Sequence, residues 1–152
     1  MNKKFFLAAI TLSLGGAYSL CATAQVKPEV LVKQRQAAMT LLVKYFRPLA
    51  GMAQGKAPFD AVVVVRNAGY LETLTKLPWD GFDPSTKDIK SKALPAIYSE
   101  TAKFNEAKDR LLSEVAKLVA VNKGGVEAAV KAQIGAVGKA CGNCHESFLE
   151  KE

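Results

Sequence analysis

The segment Cys141-Gly142-Asn143-Cys144-His145 constrains this chain more than any other part of it. It is the spacing by which a haem is held through two thioether bonds and its iron ligated by an imidazole. On a helix the two sulfurs, at i and i+3, share one face, and the imidazole at i+4 projects beside them. One covalent haem c is therefore the expected cofactor, with His145 as the axial ligand of its iron. The same residues could serve a redox dithiol or half of a zinc site. A zinc site needs two more Cys or His, and the sequence has a single His and three Cys in all. A thioredoxin-like dithiol belongs at a strand-to-helix turn in a βαβ unit, and no such pattern is present.

The first 24 residues read as a cleaved export signal: Lys3 and Lys4, an apolar run from Phe5 to Leu20, then Ala22-Thr23-Ala24 ahead of Gln25. Gly15, Gly16 and Ser19 interrupt the run, which speaks against a permanent membrane anchor. Cys21 follows a bulky Leu20 where a lipoprotein signal requires a small residue, so it is assigned to the discarded segment. Residues 25–152 then form the mature domain, with Cys141 and Cys144 as its two cysteines and no disulfide once both carry haem. Covalent haem attachment takes place outside the bacterial cytoplasm, so the motif and the signal both point to the periplasm. Removal of the signal leaves 128 residues, enough for one domain with one core, and 19 basic against 14 acidic residues, a formal +5. The charges are interspersed and no Arg-rich tract alternates with aromatics, which excludes a nucleic-acid-binding surface.

Four apolar-periodic stretches follow, divided by Gly and Pro. The first, residues 27–53, carries Val32, Arg35, Met39, Leu42, Phe46 and Leu49 on one face, with Pro48 expected to kink or shorten it. The second, residues 59–77, contains the strand-prone run Val62 to Val65, but its length and flanking period favour helix. Residues 78–94 form one long loop around Trp79, Gly81 and Pro84, and long loops in compact domains often serve function. The third stretch opens near Pro95, a residue suited to a first helical turn, and stops at Asn122-Lys123-Gly124-Gly125. The fourth runs from Val126 through Ile134, Val137, Cys141, Cys144, His145 and Phe148. The pattern predicts an all-α protein, an antiparallel four-helix bundle with the covalently bound haem in its core.

The chain resembles the cytochromes c′, the class II cytochromes c, over essentially its whole mature length. The resemblance is carried by Arg35-Gln36-Ala37-Ala38-Met39, Leu77-Pro78-Trp79 with Phe82, Pro95-Ala96-Ile97-Tyr98, and Lys139-Ala140-Cys141-Gly142-Asn143-Cys144-His145. It implies that His145 is the sole protein ligand of a five-coordinate, high-spin iron, and that Met39 takes the place of the apolar residue closing the distal side. It implies that Arg35 and Gln36 contact the haem propionates, and it puts Trp79 and Phe82 in the distal pocket. NO and CO are the implied ligands, because bound O₂ builds up negative charge that wants a hydrogen-bond donor. A homodimer through the first two helices is implied as well. The residues themselves lead to the further expectation of no enzymatic activity and no membrane association after signal cleavage, and they leave the redox partner unidentified.

Alternatives stand beside these roles. Met39 could itself bind iron, as in the low-spin class II electron carriers, and a core Met is also a common space-filler. Arg35 could face solvent at the bundle edge, and Trp79 and Phe82 could be simple core residues. A peroxidase would need a distal base, which a chain with one His does not supply. Many family members carry a basic residue four positions after the ligand His, where this chain has Leu149.

Overall fold

The computed structural model describes residues 26–151. The export signal and its cleavage site, residues 1–24, lie outside the described residues. Helix α1 spans Pro28–Ala53, and Pro28 opens it where its missing N–H costs nothing. Val32, Arg35, Ala38, Leu42, Leu49 and Met52 form its buried stripe. The helix continues through Pro48 to Ala53, so proline does not shorten it. Close to that proline, the buried Asn67 of the next helix donates from Nδ2 to the Tyr45 carbonyl at 3.1 Å.

Helix α2 covers Ala61–Leu74, three residues short of the predicted C-terminal limit and two short at the N-terminus. Its start is set by Asp60, whose carboxylate accepts from the backbone N–H of Val62 and Val63 at 2.9 and 3.1 Å. That cap satisfies donors a helix otherwise leaves orphaned and decides the valine run in favour of helix. The third stretch is divided: α3 is a single turn, Ala96–Ser99, and α4 runs Thr101–Asn122, with Glu100 at φ −116° and ψ 45° between them. The change of direction brings Ile97 and Phe104 onto one apolar cluster with Phe148. Gly125, at φ 70°, ends the connection to α5, which spans Glu127–Phe148. The stretch predicted as one loop contains two 3₁₀ turns, Trp79–Phe82 and Pro84–Thr86.

Helix α1 packs on α2 and α5, α2 on α4, and α4 on α5, which closes the ring of an antiparallel four-helix bundle. The main core runs along the bundle through Leu42, Leu49, Val64, Leu71, Val115, Leu118, Val130, Ile134 and Val137. The smaller cluster of Ile97, Phe104 and Phe148 lies at one end. Among the described residues no helix is long and apolar enough to cross a membrane. Leu118 is fully enclosed. Leu118→Ala is expected to cost about 2–5 kcal/mol of unfolding free energy, read from the denaturant midpoint.

Candidate haem-attachment site

Helix α5 carries one continuous inward stripe: Val130, Ile134, Val137, Cys141, Cys144 and Phe148, at alternating spacings of three and four. Both cysteines are half-buried free thiols. Cys141 packs against the main core and Cys144 against the end cluster. Trp79 touches both clusters, so the sulfurs sit on either side of the junction it fills. Burial in apolar surroundings pushes both thiols above the ordinary cysteine range, and Cys144 raises Cys141 further.

His145 follows directly on the stripe but is exposed. It borders an open depression with Lys92, Glu146, Leu149 and Glu150. The helical turn that carries it is tied down from outside. Leu94 donates to the Phe148 carbonyl at 3.0 Å and Glu150 to the Lys92 carbonyl at 2.8 Å, an antiparallel bridge centred on Ala93 and Leu149.

Opposite α5 an aromatic wall forms from the loop and α4. Trp79 and Phe82 stack at 6.2 Å between ring centroids, Phe82 meets Phe104 edge-on at 4.9 Å, and Phe104 meets Phe148 at 5.3 Å. The indole N–H of Trp79 is given to the Thr75 carbonyl. Arg35 reaches this wall from α1. Its guanidinium lies over Phe82 at 4.5 Å, donates to the Gly81 carbonyl, and donates to Ser91 Oγ at 2.9 Å.

Arg35 is only 4% exposed, so it does not face solvent. Among the described residues it has no carboxylate partner; its acceptors are neutral. A buried cation without a counter-charge is costly. A cofactor bearing carboxylates would supply one, and together with two half-buried free thiols and an adjacent imidazole this donor set fits a haem.

Of the residues singled out in the sequence, the structure brings Arg35, Trp79, Phe82 and Cys144 to one end cluster, and Met39 packs half-buried against the main core with Cys141. Gln36 is exposed on α1. Sequence reasoning missed Ser91 and Thr86 and gave no role to Tyr98, quoted there only within a family segment; the three form the loop's polar frame. The Thr86 hydroxyl donates to the Asp83 carbonyl at 2.7 Å, with the Gly81 carbonyl farther off at 3.2 Å, and accepts from the Tyr98 hydroxyl at 2.9 Å. Gly81 carried a usable signal, a glycine between two aromatics. A Cβ there would lie 2.5 Å from Arg35 Cβ and 2.8 Å from the Leu31 carbonyl, so only glycine lets the loop press onto α1.

A four-helix bundle that presents Cys-x-x-Cys-His on its last helix defines a c-type cytochrome of the helical-bundle class. The sequence matches the Cytochrome C' family over residues 30–149. It is 44% identical to cytochrome c' of Rubrivivax gelatinosus over 126 residues, covering 82% of this chain and 98% of that one. The fold is similar to the crystal structure of cytochrome c' from that organism, with a TM-score of 0.78 at 43% identity, over 82% of this chain and 98% of that one. It is also similar to a nitric oxide complex of a variant cytochrome c prime from Alcaligenes xylosoxidans, with a TM-score of 0.76 at 35% identity, over 83% and 98% of the two chains. The chain belongs to the cytochrome c′ family, whose cofactor is a covalently attached haem c.

Gly81→Ala is expected to destabilise the protein by about 1–3 kcal/mol through overpacking against α1, as a lowered midpoint in thermal or urea unfolding.

Proposed function

We propose that this protein is a periplasmic cytochrome c′ that binds NO or CO at a five-coordinate, high-spin haem iron and passes single electrons to a redox partner still to be identified. In this reading Cys141 and Cys144 hold the haem, His145 is its one protein ligand, and Arg35 with Gln36 meets the propionates. When bound, the haem supplies an iron that takes a neutral diatomic ligand or one electron. The chain's own residues decide which ligand is favoured.

The observation that carries the reading is that, among the described residues, the aromatic and thioether side chains of the wall offer no spare hydrogen-bond donor, while the Arg35 guanidinium is held by the Gly81 carbonyl and Ser91. The Trp79 N–H is committed to Thr75, and Phe82, Phe104 and Met39 offer none. Such a surface favours uncharged NO and CO over O₂, which needs a donor as negative charge builds on it. The nitric oxide complex of a relative supports NO as a ligand. Peroxide cleavage would require a proton-accepting base, and the sequence has no His besides His145, so the role is binding and electron transfer rather than enzymatic catalysis. Exposed Leu41, Val62, Val65 and Tyr70 on α1 and α2 support a homodimer through those helices.

The absorption spectrum of the reduced protein tests the reading. A broad high-spin Soret band that shifts with CO is expected. Sharp α and β bands unmoved by CO would instead make Met39 the sixth ligand and the protein a low-spin electron carrier. With Met39 as an apolar gate, Met39→Ala is expected to speed CO binding by roughly tenfold, a barrier change of about 1.4 kcal/mol. An unchanged rate would remove the gate.

A further inference from the structure

The positive charge of this protein is not evenly spread. Over residues 26–78 eight basic residues stand against three acidic ones, Glu29, Asp60 and Glu72, whereas over residues 79–151 eleven stand against ten. The ion pairs differ in the same way. Glu100–Lys103, Lys108–Asp109, Glu114–Lys117 and Glu127–Lys131 all lie along α4 and α5, and among the described residues no cation of α1 or α2 is paired with a carboxylate. On the helices themselves, exposed Lys33, Lys44, Arg47 and Arg66 stand against Glu29 and Glu72, a small surplus on the α1–α2 layer, which also exposes Leu41, Val62, Val65 and Tyr70, Val62 to 76%.

A depression lies in this face beside Pro48, lined by Lys44, Tyr45, Pro48, Arg66, Asn67 and Tyr70. Its side-chain polar groups are largely donors. Asn67 Nδ2 is used by the Tyr45 carbonyl, and Asn67 Oδ1 accepts from Arg66 Nε at 3.3 Å. The Lys44 ammonium lies 5.3 Å from the Tyr45 ring centroid, and the Tyr45 and Tyr70 rings contact each other at 4.6 Å. That leaves the Lys44 ammonium, the terminal nitrogens of Arg66 and two phenol hydroxyls around one hollow, with no carboxylate lining it.

Two copies joined through α1 and α2 about a two-fold axis would bring both such faces together, and with them two surfaces of the same net positive sign. Like charges set against each other across an interface cost affinity unless a counter-charge intervenes. We propose that a small inorganic oxyanion, with phosphate as the probe, binds in the Lys44–Arg66 depression of each copy and supplies the counter-charge that lets the two faces close. The inference rests on the homodimer reading given above and adds the ligand that controls it.

Sedimentation equilibrium of the haem-loaded protein, in phosphate and in chloride at equal ionic strength, tests it. Phosphate is expected to tighten wild-type association at least about tenfold, as linkage to two equivalent sites gives once phosphate exceeds its dissociation constant for the dimer a few-fold and binds the separated copies much more weakly. The double variant Lys44→Gln, Arg66→Gln has neither the repulsion nor the site, and is expected to associate equally in both salts, no more weakly than wild type in chloride. The charge-retaining variant Lys44→Arg, Arg66→Lys is expected to keep the phosphate effect. Equal wild-type association in the two salts would overturn the inference and leave the dimer standing. A phosphate effect that survives in the glutamine variant would overturn it by placing the anion elsewhere. Monomers under every condition would remove the dimer reading, and the inference with it.

Discussion

The inward stripe of α5 is the constraint on which the rest of the structure depends, because one row of side chains has two tasks. Val130, Ile134 and Val137 close the main core against α1 and α4, while Cys141 and Cys144 continue the same row at the same spacing. A helix repeats its faces every three or four residues, so a motif at i and i+3 inherits the orientation of the packing that precedes it. Helix packing thus aims the sulfurs, and the loop beneath them must keep its wall at the right distance.

Arg35 maintains that wall. Its guanidinium fork holds the Gly81 carbonyl and the Ser91 hydroxyl while its flat face lies on Phe82. A lysine could make one of these contacts; the planar fork makes all three at once. Among the described residues no carboxylate is paired with it, which leaves a positive charge inside the protein that neutral partners only partly compensate. The pocket is therefore electrostatically prepared for an anionic edge, and the same side chain that assembles the loop also sets the polarity of the space beside it.

Much of this was legible in the sequence, for local reasons. The stop at Gly124-Gly125 and the placement of the cysteines on an apolar row follow from residues close in the chain, as does the α2 start after the Asp60 cap, which the apolar period alone set two residues too early. The division at Glu100 was not legible, since no Gly or Pro marks it and its benefit is the meeting of Ile97 with Phe104 and Phe148. Nor was the order within residues 79–92. It rests on contacts such as Arg35 with Gly81, 46 residues apart, which periodicity does not register. Arg35 itself could be placed on the inner face but not given its partners, and Gln36, its neighbour, turns outward.

Helices ordinarily loosen in their final turn, where backbone carbonyls run out of partners. In α5 the Phe148 carbonyl finds one in Leu94, and the next residues are pinned to Lys92. His145 belongs to that final turn. Here a short strap of extended chain ties down the backbone turn from which the imidazole projects.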